Sequence, residues 1–257
     1  TDSEIQRDYD RTAEHAQDDG AEPPVQEQYN VVRDYQNEYH GSVTLEEAFT
    51  ESCNTTFAKL SVMLGAARVS KTAKDMGIGK EYLFEDMMLY KSSYEKPNTQ
   101  LQLAWSGIGQ YKDLMTPMQM CMLAGAVAND GVMMEPKLLK NVTTHGGTVS
   151  KTLQREACDP VFSKKEAHTI KSYMRAVVEK GTGKRASLDE LTVCGKTGTA
   201  EISSDKSVKT HAWFVGFIEE PEHPLAVCVI LEQAGGGGSV AAPIAGKMLQ
   251  KAVELGY

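Results

Sequence analysis

Hydrophobic and polar positions follow two different regimes along the chain, with the change near Gly41. Before it, Ile5, Val25, Val31 and Val32 are the aliphatic residues among charged and amide side chains. Such a stretch buries little apolar surface, so residues 1–40 read as a loosely held or partner-dependent segment. After it, periodic patterns take over. Thr44 and Glu47 form a T-x-x-E capping box that opens a short helix. Asn54 is placed to cap the next helix, where Phe57, Leu60, Met63 and Leu64 recur at helical spacing. Gly77 and Gly79 end a further helical stretch, and residues 78–115 read as irregular. Thr116 and Pro117 supply an N-cap and a first-turn proline for an apolar helix that Asn129-Asp130-Gly131 stops.

The second half changes period. Residues 138–153 read as a hairpin around His145-Gly146-Gly147. Ser163 and Glu166 make a second capping box, and the helix behind it lines up Ala167, Ile170, Met174, Val177 and Val178 before Gly181. Three strand-like runs follow, at about 191–202, 209–219 and 224–233. Gly235–Gly238 reads as a flexible joint, and a last helix runs from about Ala241 to Glu254, with Pro243 tolerable in its first turn. Connections this short cannot link parallel strands, so the sheet is antiparallel. The fold class is α/β in content and α+β in layout. It has a helical lobe at about 41–135, and an antiparallel sheet with a C-terminal helix at about 185–257.

Composition narrows the function classes. Hydrophobic residues make up 41% of the 257, enough for a sizeable core. No apolar run approaches the ~18 residues of a membrane span, and no signal peptide is visible, so any anchor is expected outside this chain. The net charge of −8 lies in residues 1–40, with 11 Asp/Glu against 3 Arg, leaving 24 of each sign for residues 41–257. The body therefore lacks the basic stripe of a nucleic-acid binder. The five cysteines have no C-x-x-C spacing; Cys121, Cys194 and Cys228 sit in apolar runs and read as buried free thiols. His211 stands alone near a strand start and reads as structural.

Candidate chemistry rests on two short motifs in a set order. Ser52-x-Asn54 opens a helix after a loop, and Lys196-Thr197-Gly198 lies on a strand followed by an apolar strand. Each alone is weak. Around them stand Gly107–Gln110 (Gly-Ile-Gly-Gln), Thr116–Met120 (Thr-Pro-Met-Gln-Met), Gly181–Lys184 (Gly-Thr-Gly-Lys), Gly195–Glu201 (Gly-Lys-Thr-Gly-Thr-Ala-Glu) and Trp213–Phe217 (Trp-Phe-Val-Gly-Phe). In this order, from about Gly41 to the C-terminus, the chain resembles the transpeptidase domain of a penicillin-binding protein, within the β-lactamase-like serine acyltransferases.

The resemblance implies a D,D-transpeptidase that takes the penultimate D-Ala carbonyl of a peptidoglycan stem peptide and is acylated by β-lactam antibiotics. It implies no metal or organic cofactor, and work on the extracytoplasmic face of the membrane. Lys196 would place a positive charge beside Ser52, supporting a proton relay through that hydroxyl. Asn54 would fix a substrate amide and a catalytic lysine together. Thr197 would bond the substrate carboxylate, Gly198 would let a substrate backbone lie along the strand, and the Thr199 N–H would serve the oxyanion hole. A serine β-lactamase and a non-catalytic module that binds peptidoglycan or partner proteins remain as alternatives. Blander readings remain too: Ser52 and Asn54 as caps, Gly181-Thr182-Gly183 as a helix stop, and Gly107–Gln110 as a turn packed under the site.

The family's nucleophile stands in S-x-x-K on a helix ahead of the S-x-N loop, and residues 1–51 contain no such motif. Ser93–Lys96 and Ser203–Lys206 match it elsewhere, in an irregular stretch and in a polar turn, where chance explains them. Two sheet strands that precede the nucleophile helix in the family are also unaccounted for in residues 1–40. The expectation is a C-terminal part of a longer protein, with the rest cleaved or on another chain, ahead of the alternative of a departed relative. Residues 1–257 by themselves are then expected to resist acylation by a penicillin.

Overall fold

The computed structural model describes residues 32–35, 38–203, 205 and 207–257. The acidic stretch 1–31 lies outside the described residues. Helix α1 (Leu45–Thr50) opens on a complete capping box, the Thr44 hydroxyl accepting from Glu47 N at 3.2 Å and the Glu47 carboxylate accepting from Thr44 N at 2.7 Å. Helices α2 (Asn54–Leu64) and α3 (Ala66–Asp75) follow.

The stretch read as irregular holds a two-stranded ladder, β1 (Tyr82–Leu83) with β2 (Met88–Leu89), and helix α4 (Gln100–Ser106), which Thr99 caps. Helix α4 has seven residues, too few for a helical repeat to declare itself in sequence. Helix α5 (Pro117–Ala128) buries Met122, Leu123, Ala124, Ala126 and Val127. At 3.6 residues per turn these positions span about 200° of its circumference, wider than the single apolar stripe of a surface helix.

Strand β3 (Val132–Met134) pairs with β6 (Ala157–Pro160), and between them the expected hairpin forms from β4 (Asn141–Thr143) and β5 (Val149–Thr152). Helix α6 (Lys164–Glu179) begins on the second capping box, at Ser163 and Glu166. The sheet comes last: β7 (Val193–Ala200), β8 (His211–Ile218) and β9 (Ala226–Leu231) form an antiparallel meander in that order, closed by helix α7 (Ala242–Glu254).

Strand alternation divides the core into two layers. Ala212, Phe214, Val227 and Val229 face Ala242, Ala245 and Leu249 of α7. Cys194 and Phe217 face the other way, onto Ala124 and Val127 of α5 and Met174 of α6. Phe214 is fully buried, and its ring lies where a side chain at Gly195 would sit, 2.2 Å from a Cβ placed there. Burying a ring of that size stabilises the fold by roughly 1.5–3 kcal/mol.

Two features ahead of the sheet differ from the pattern reading. Val32, before the expected boundary at Gly41, is buried with Ala58 and Ala104. The glycine run before α7 is not a free joint. It includes a π-helical turn, Gly237–Ala241, and a Cβ at Gly237 would lie 2.3 Å from the Gly198 carbonyl oxygen and 2.4 Å from that of Trp213. Glycine is needed there because two backbones cross without room for a side chain. Among the described residues the cysteines are free and no helix is long and apolar enough to cross a membrane.

Candidate active site

The turn between α1 and α2 is built from a helix ending. Ser52 N donates to the Phe49 carbonyl at 3.3 Å and Cys53 N to the Ala48 carbonyl at 2.8 Å. This is the Schellman pattern that closes a helix through a left-handed residue, a place usually held by glycine. Here Ser52 holds it, at φ 60°. A non-glycine residue there costs roughly 1–2 kcal/mol. A strained residue that persists points to a use for its side chain.

That side chain meets Lys196. Lys196 Nζ donates to Ser52 Oγ at 2.7 Å and to the Thr197 carbonyl at 3.1 Å, and it stands 5.7 Å from the centroid of the Phe49 ring. Strand β7 carries it on the face of Phe217 and Val215, opposite α7. Burial pulls its ammonium from an ordinary 10.5 down to about 8.

Strand β7 is an edge of its sheet. The Thr197 carbonyl receives Lys196, and the Thr199 carbonyl receives Gln110 Nε2 at 3.4 Å, so both point away from β8. In an antiparallel ladder the N–H of a residue points to the same side as its C=O. Thr197 and Thr199 therefore offer backbone donors to the open edge, while Gly198 pairs with Trp213 across the ladder. The side chains are pinned as well: Thr197 Oγ1 and Thr182 Oγ1 are 2.6 Å apart, and Thr199 Oγ1 accepts from Gly237 N at 3.2 Å.

Asn54 is arranged differently from the cap the sequence suggested. Cys53 is the N-cap of α2 and makes no side-chain capping bond. The cap comes from Asp34, whose Oδ1 accepts from Asn54 N and, at 3.2 Å, from Thr55 N. The Asn54 side-chain amide donates to the Arg33 carbonyl at 2.9 Å. Among the described residues no bond joins Asn54 to Ser52 or Lys196.

Thus the structure gathers Ser52, Lys196, Thr197, Gly198 and Thr199 at one strand edge and sets the Asn54 amide on the Arg33 carbonyl. It adds Thr182 and Gln110, both in runs noted from sequence but read there as a helix stop and a packing turn. The signal for both was the glycine on each side of Thr182 and the Gly-Ile-Gly spacing ahead of Gln110. Tyr111, next to Gln110, is another non-glycine residue at positive φ, 68°. The stray S-x-x-K matches stay apart: Ser93 is exposed and bridged to Leu114, Ser203 is exposed, and Lys206 lies outside the described residues.

The family model of the penicillin binding protein transpeptidase domain matches residues 11–250. The chain is 29% identical over 221 residues to the peptidoglycan D,D-transpeptidase PbpA of Mycolicibacterium smegmatis, covering 84% of this chain and 45% of that protein. It is 30% identical over 245 residues to the peptidoglycan D,D-transpeptidase MrdA of Haemophilus influenzae, covering 84% of this chain and 37% of that one. It spans less than half the length of these two curated relatives. Among solved structures, the D,D-transpeptidase domain of a peptidoglycan glycosyltransferase from Eggerthella lenta matches with a TM-score of 0.77 at 28% identity, over 86% of this chain and 55% of that one. Penicillin-binding protein A from M. tuberculosis, solved as a ceftriaxone acyl-enzyme complex, matches with a TM-score of 0.77 at 27% identity, over 82% of this chain and 48% of that one.

Proposed function

The chain belongs to the penicillin-binding protein transpeptidase family, and from that premise we propose that it forms the substrate-holding side of a D,D-transpeptidase site. The observation that carries the reading is the 2.7 Å bond from Lys196 to a serine held in a left-handed turn at an open strand edge. The substrate is a peptidoglycan stem peptide ending in D-Ala-D-Ala, and β-lactams are its mimics. The protein works on the extracytoplasmic face of the cell membrane.

In this proposal a serine from an S-x-x-K segment attacks the penultimate D-Ala carbonyl. Its hydroxyl proton leaves toward the lysine of that motif. The tetrahedral oxyanion is held by the Thr199 N–H, and the terminal carboxylate sits against the Thr197 hydroxyl under the field of Lys196. The amide C–N bond breaks, the departing D-Ala amine takes a proton relayed through Ser52 Oγ, and an ester to the serine remains. An amine of a neighbouring strand then attacks that ester and releases the serine with its proton. Ser52 is thus a proton carrier, not the nucleophile, and Lys196 raises the acidity of its hydroxyl.

The test is acylation of the full-length protein by a fluorescent penicillin, with the adduct located by mass spectrometry. A stable stoichiometric adduct is expected on a serine outside the S-x-N motif. Its rate should fall by on the order of 100-fold or more in Lys196→Ala, with a fall in Ser52→Ala as well. Unchanged rates in both variants overturn the electrostatic role of Lys196 and the proton-carrying role of Ser52. Fast release of hydrolysed penicillin would make the protein a β-lactamase, and absence of any adduct would make it a non-catalytic binder.

A further inference from the structure

Two main-chain acceptors face the open edge of β7, and they are held in different ways. The Thr197 carbonyl accepts from the Lys196 ammonium at 3.1 Å. The Thr199 carbonyl accepts from the neutral Gln110 amide, Nε2 to O at 3.4 Å. The second contact is long for an N–H···O bond, whose usual distance is about 2.9–3.0 Å. It is a weak bond, easily exchanged.

A bound substrate needs that second acceptor. In the chemistry proposed above, the penultimate D-Ala carbonyl oxygen lies on the Thr199 N–H. Two residues bonded across an antiparallel ladder exchange both N–H···O bonds. A stem peptide laid antiparallel along β7 therefore brings the N–H of that same D-Ala to the Thr199 carbonyl. Gln110 Nε2 stands there, on the side of the strand that a ladder partner takes.

The turn that carries Gln110 keeps its main chain still and leaves its side chain free. Gln110 N donates to the Trp105 carbonyl at 3.0 Å. Gly109 and Tyr111, on either side of it, are both left-handed, at φ 74° and 68°. That conformation is unfavourable for a tyrosine, and it is held from outside. Glu95 accepts from the Tyr111 hydroxyl at 3.4 Å and from Lys112 Nζ at 2.7 and 2.8 Å. The half-buried Gln110 side chain makes no other hydrogen bond among the described residues. Its amide swings on single bonds from a fixed main chain, so its release is a rotation of one side chain.

We propose that the Gln110 amide holds the place of the substrate N–H on the Thr199 carbonyl and yields it to a ligand that brings an N–H of its own. This rests on the transpeptidase reading. Gln110 is a positioning residue that tunes specificity. A ligand with an N–H at this point exchanges one neutral hydrogen bond for another. A ligand without one leaves Gln110 in place, and the carbonyl stays satisfied.

The test is stopped-flow acylation of the full-length protein by two probes. Benzylpenicillin carries an acylamino N–H beside its reactive carbonyl, and a carbapenem does not. Gln110→Met keeps the size of the side chain without the donor, and Gln110→Ala removes it. Benzylpenicillin should react faster in both variants, since nothing has to be displaced, while the carbapenem should gain nothing. The ratio of the two rates should rise by about two- to ten-fold, the value of one neutral hydrogen bond. A purely structural role would slow both probes alike, and a ratio that stays level or falls overturns the proposal. A readout on the wild-type protein does not depend on how the variants fold. With 15N-labelled glutamine, the Gln110 side-chain amide resonance should shift on acylation by benzylpenicillin and hold its position with the carbapenem. A resonance that holds with both probes overturns the proposal as well. Absence of any adduct on the wild-type protein with either probe sinks the transpeptidase reading and this inference with it, whereas adducts with a level rate ratio sink this inference alone.

Discussion

Replacing Ser52 by glycine and by alanine separates the cost of its backbone from the work of its hydroxyl. Both variants lose the Oγ that accepts from Lys196 at 2.7 Å. A hydrogen bond to a charged group contributes about 1.5–3 kcal/mol. The loss at Ser52 falls toward the lower end, because Lys196 keeps the Thr197 carbonyl at 3.1 Å and the Phe49 ring. That loss is common to both and cancels in their difference. What remains is the left-handed turn at φ 60°. Alanine still pays roughly 1–2 kcal/mol for it and glycine does not. Glycine loses more freedom on folding, which returns about 0.4–1 kcal/mol. Ser52→Gly should therefore be the more stable of the two by about 1 kcal/mol, although it has the smaller side chain. In a domain of this size that is a difference of roughly 2–4 °C in melting temperature. Thermal and urea unfolding followed by circular dichroism read it directly, with penicillin acylation slowed in both. If Ser52→Ala proves as stable as Ser52→Gly, the turn is not strained and the functional reading of Ser52 loses its backbone argument.

Lys196, pulled down to about 8 by burial, should carry its charge at neutral pH and lose it above that value, so the acylation rate of the full protein should fall as pH rises through about 8. Stability should move the opposite way: between about 8 and 10.5 the unfolded chain binds the proton that the folded chain has released, so this lysine adds stability as pH rises, and paired rate and unfolding curves check both signs. Gly237→Ala puts a Cβ against the Gly198 and Trp213 carbonyls and should destabilise by about 1–3 kcal/mol, read as a lower urea midpoint. Thr182→Val removes the 2.6 Å partner of the Thr197 hydroxyl and should cost about 1 kcal/mol of transition-state binding, roughly a five-fold slower acylation with little change in fold, measured by stopped-flow penicillin binding.

The parts of this fold legible in sequence are those set by local chemistry. Capping boxes at Thr44 and Ser163, the Thr116-Pro117 start and the three strand runs each depend on residues a few positions apart, and each forms where the pattern puts it. The approach of Lys196 to Ser52 was legible through the order of two motifs, since both sit where elements begin or end. What sequence concealed depends on contacts across long separations. Asp34 caps a helix twenty residues on, and nothing near Asp34 in sequence announces that. Strands β3 and β6 pair over the inserted β4–β5 hairpin, so neither run is long enough to stand out alone. Gly237 looks like slack in a glycine run because the backbone it passes lies on strands read separately. Thr182 looks like punctuation after a helix until β7 brings Thr197 beside it.

Strand β7 turns main-chain atoms, not side chains, toward its open edge at Thr199. Under the proposed chemistry this gives the site an unusual genetic property. Any of the twenty residues but proline still supplies an N–H at that position. The oxyanion donor is thus nearly immune to point mutation, and a lineage under pressure from an inhibitor cannot readily discard it. Heritable change must instead act on the tilt and height of the strand, through the residues that brace it: Gly237 against its back, Thr182 at its flank and Gln110 at its rim. Substitutions selected by prolonged inhibitor exposure should accumulate in that bracing ring, the Thr199 hydroxyl that accepts from Gly237 N included, while the N–H at position 199 persists.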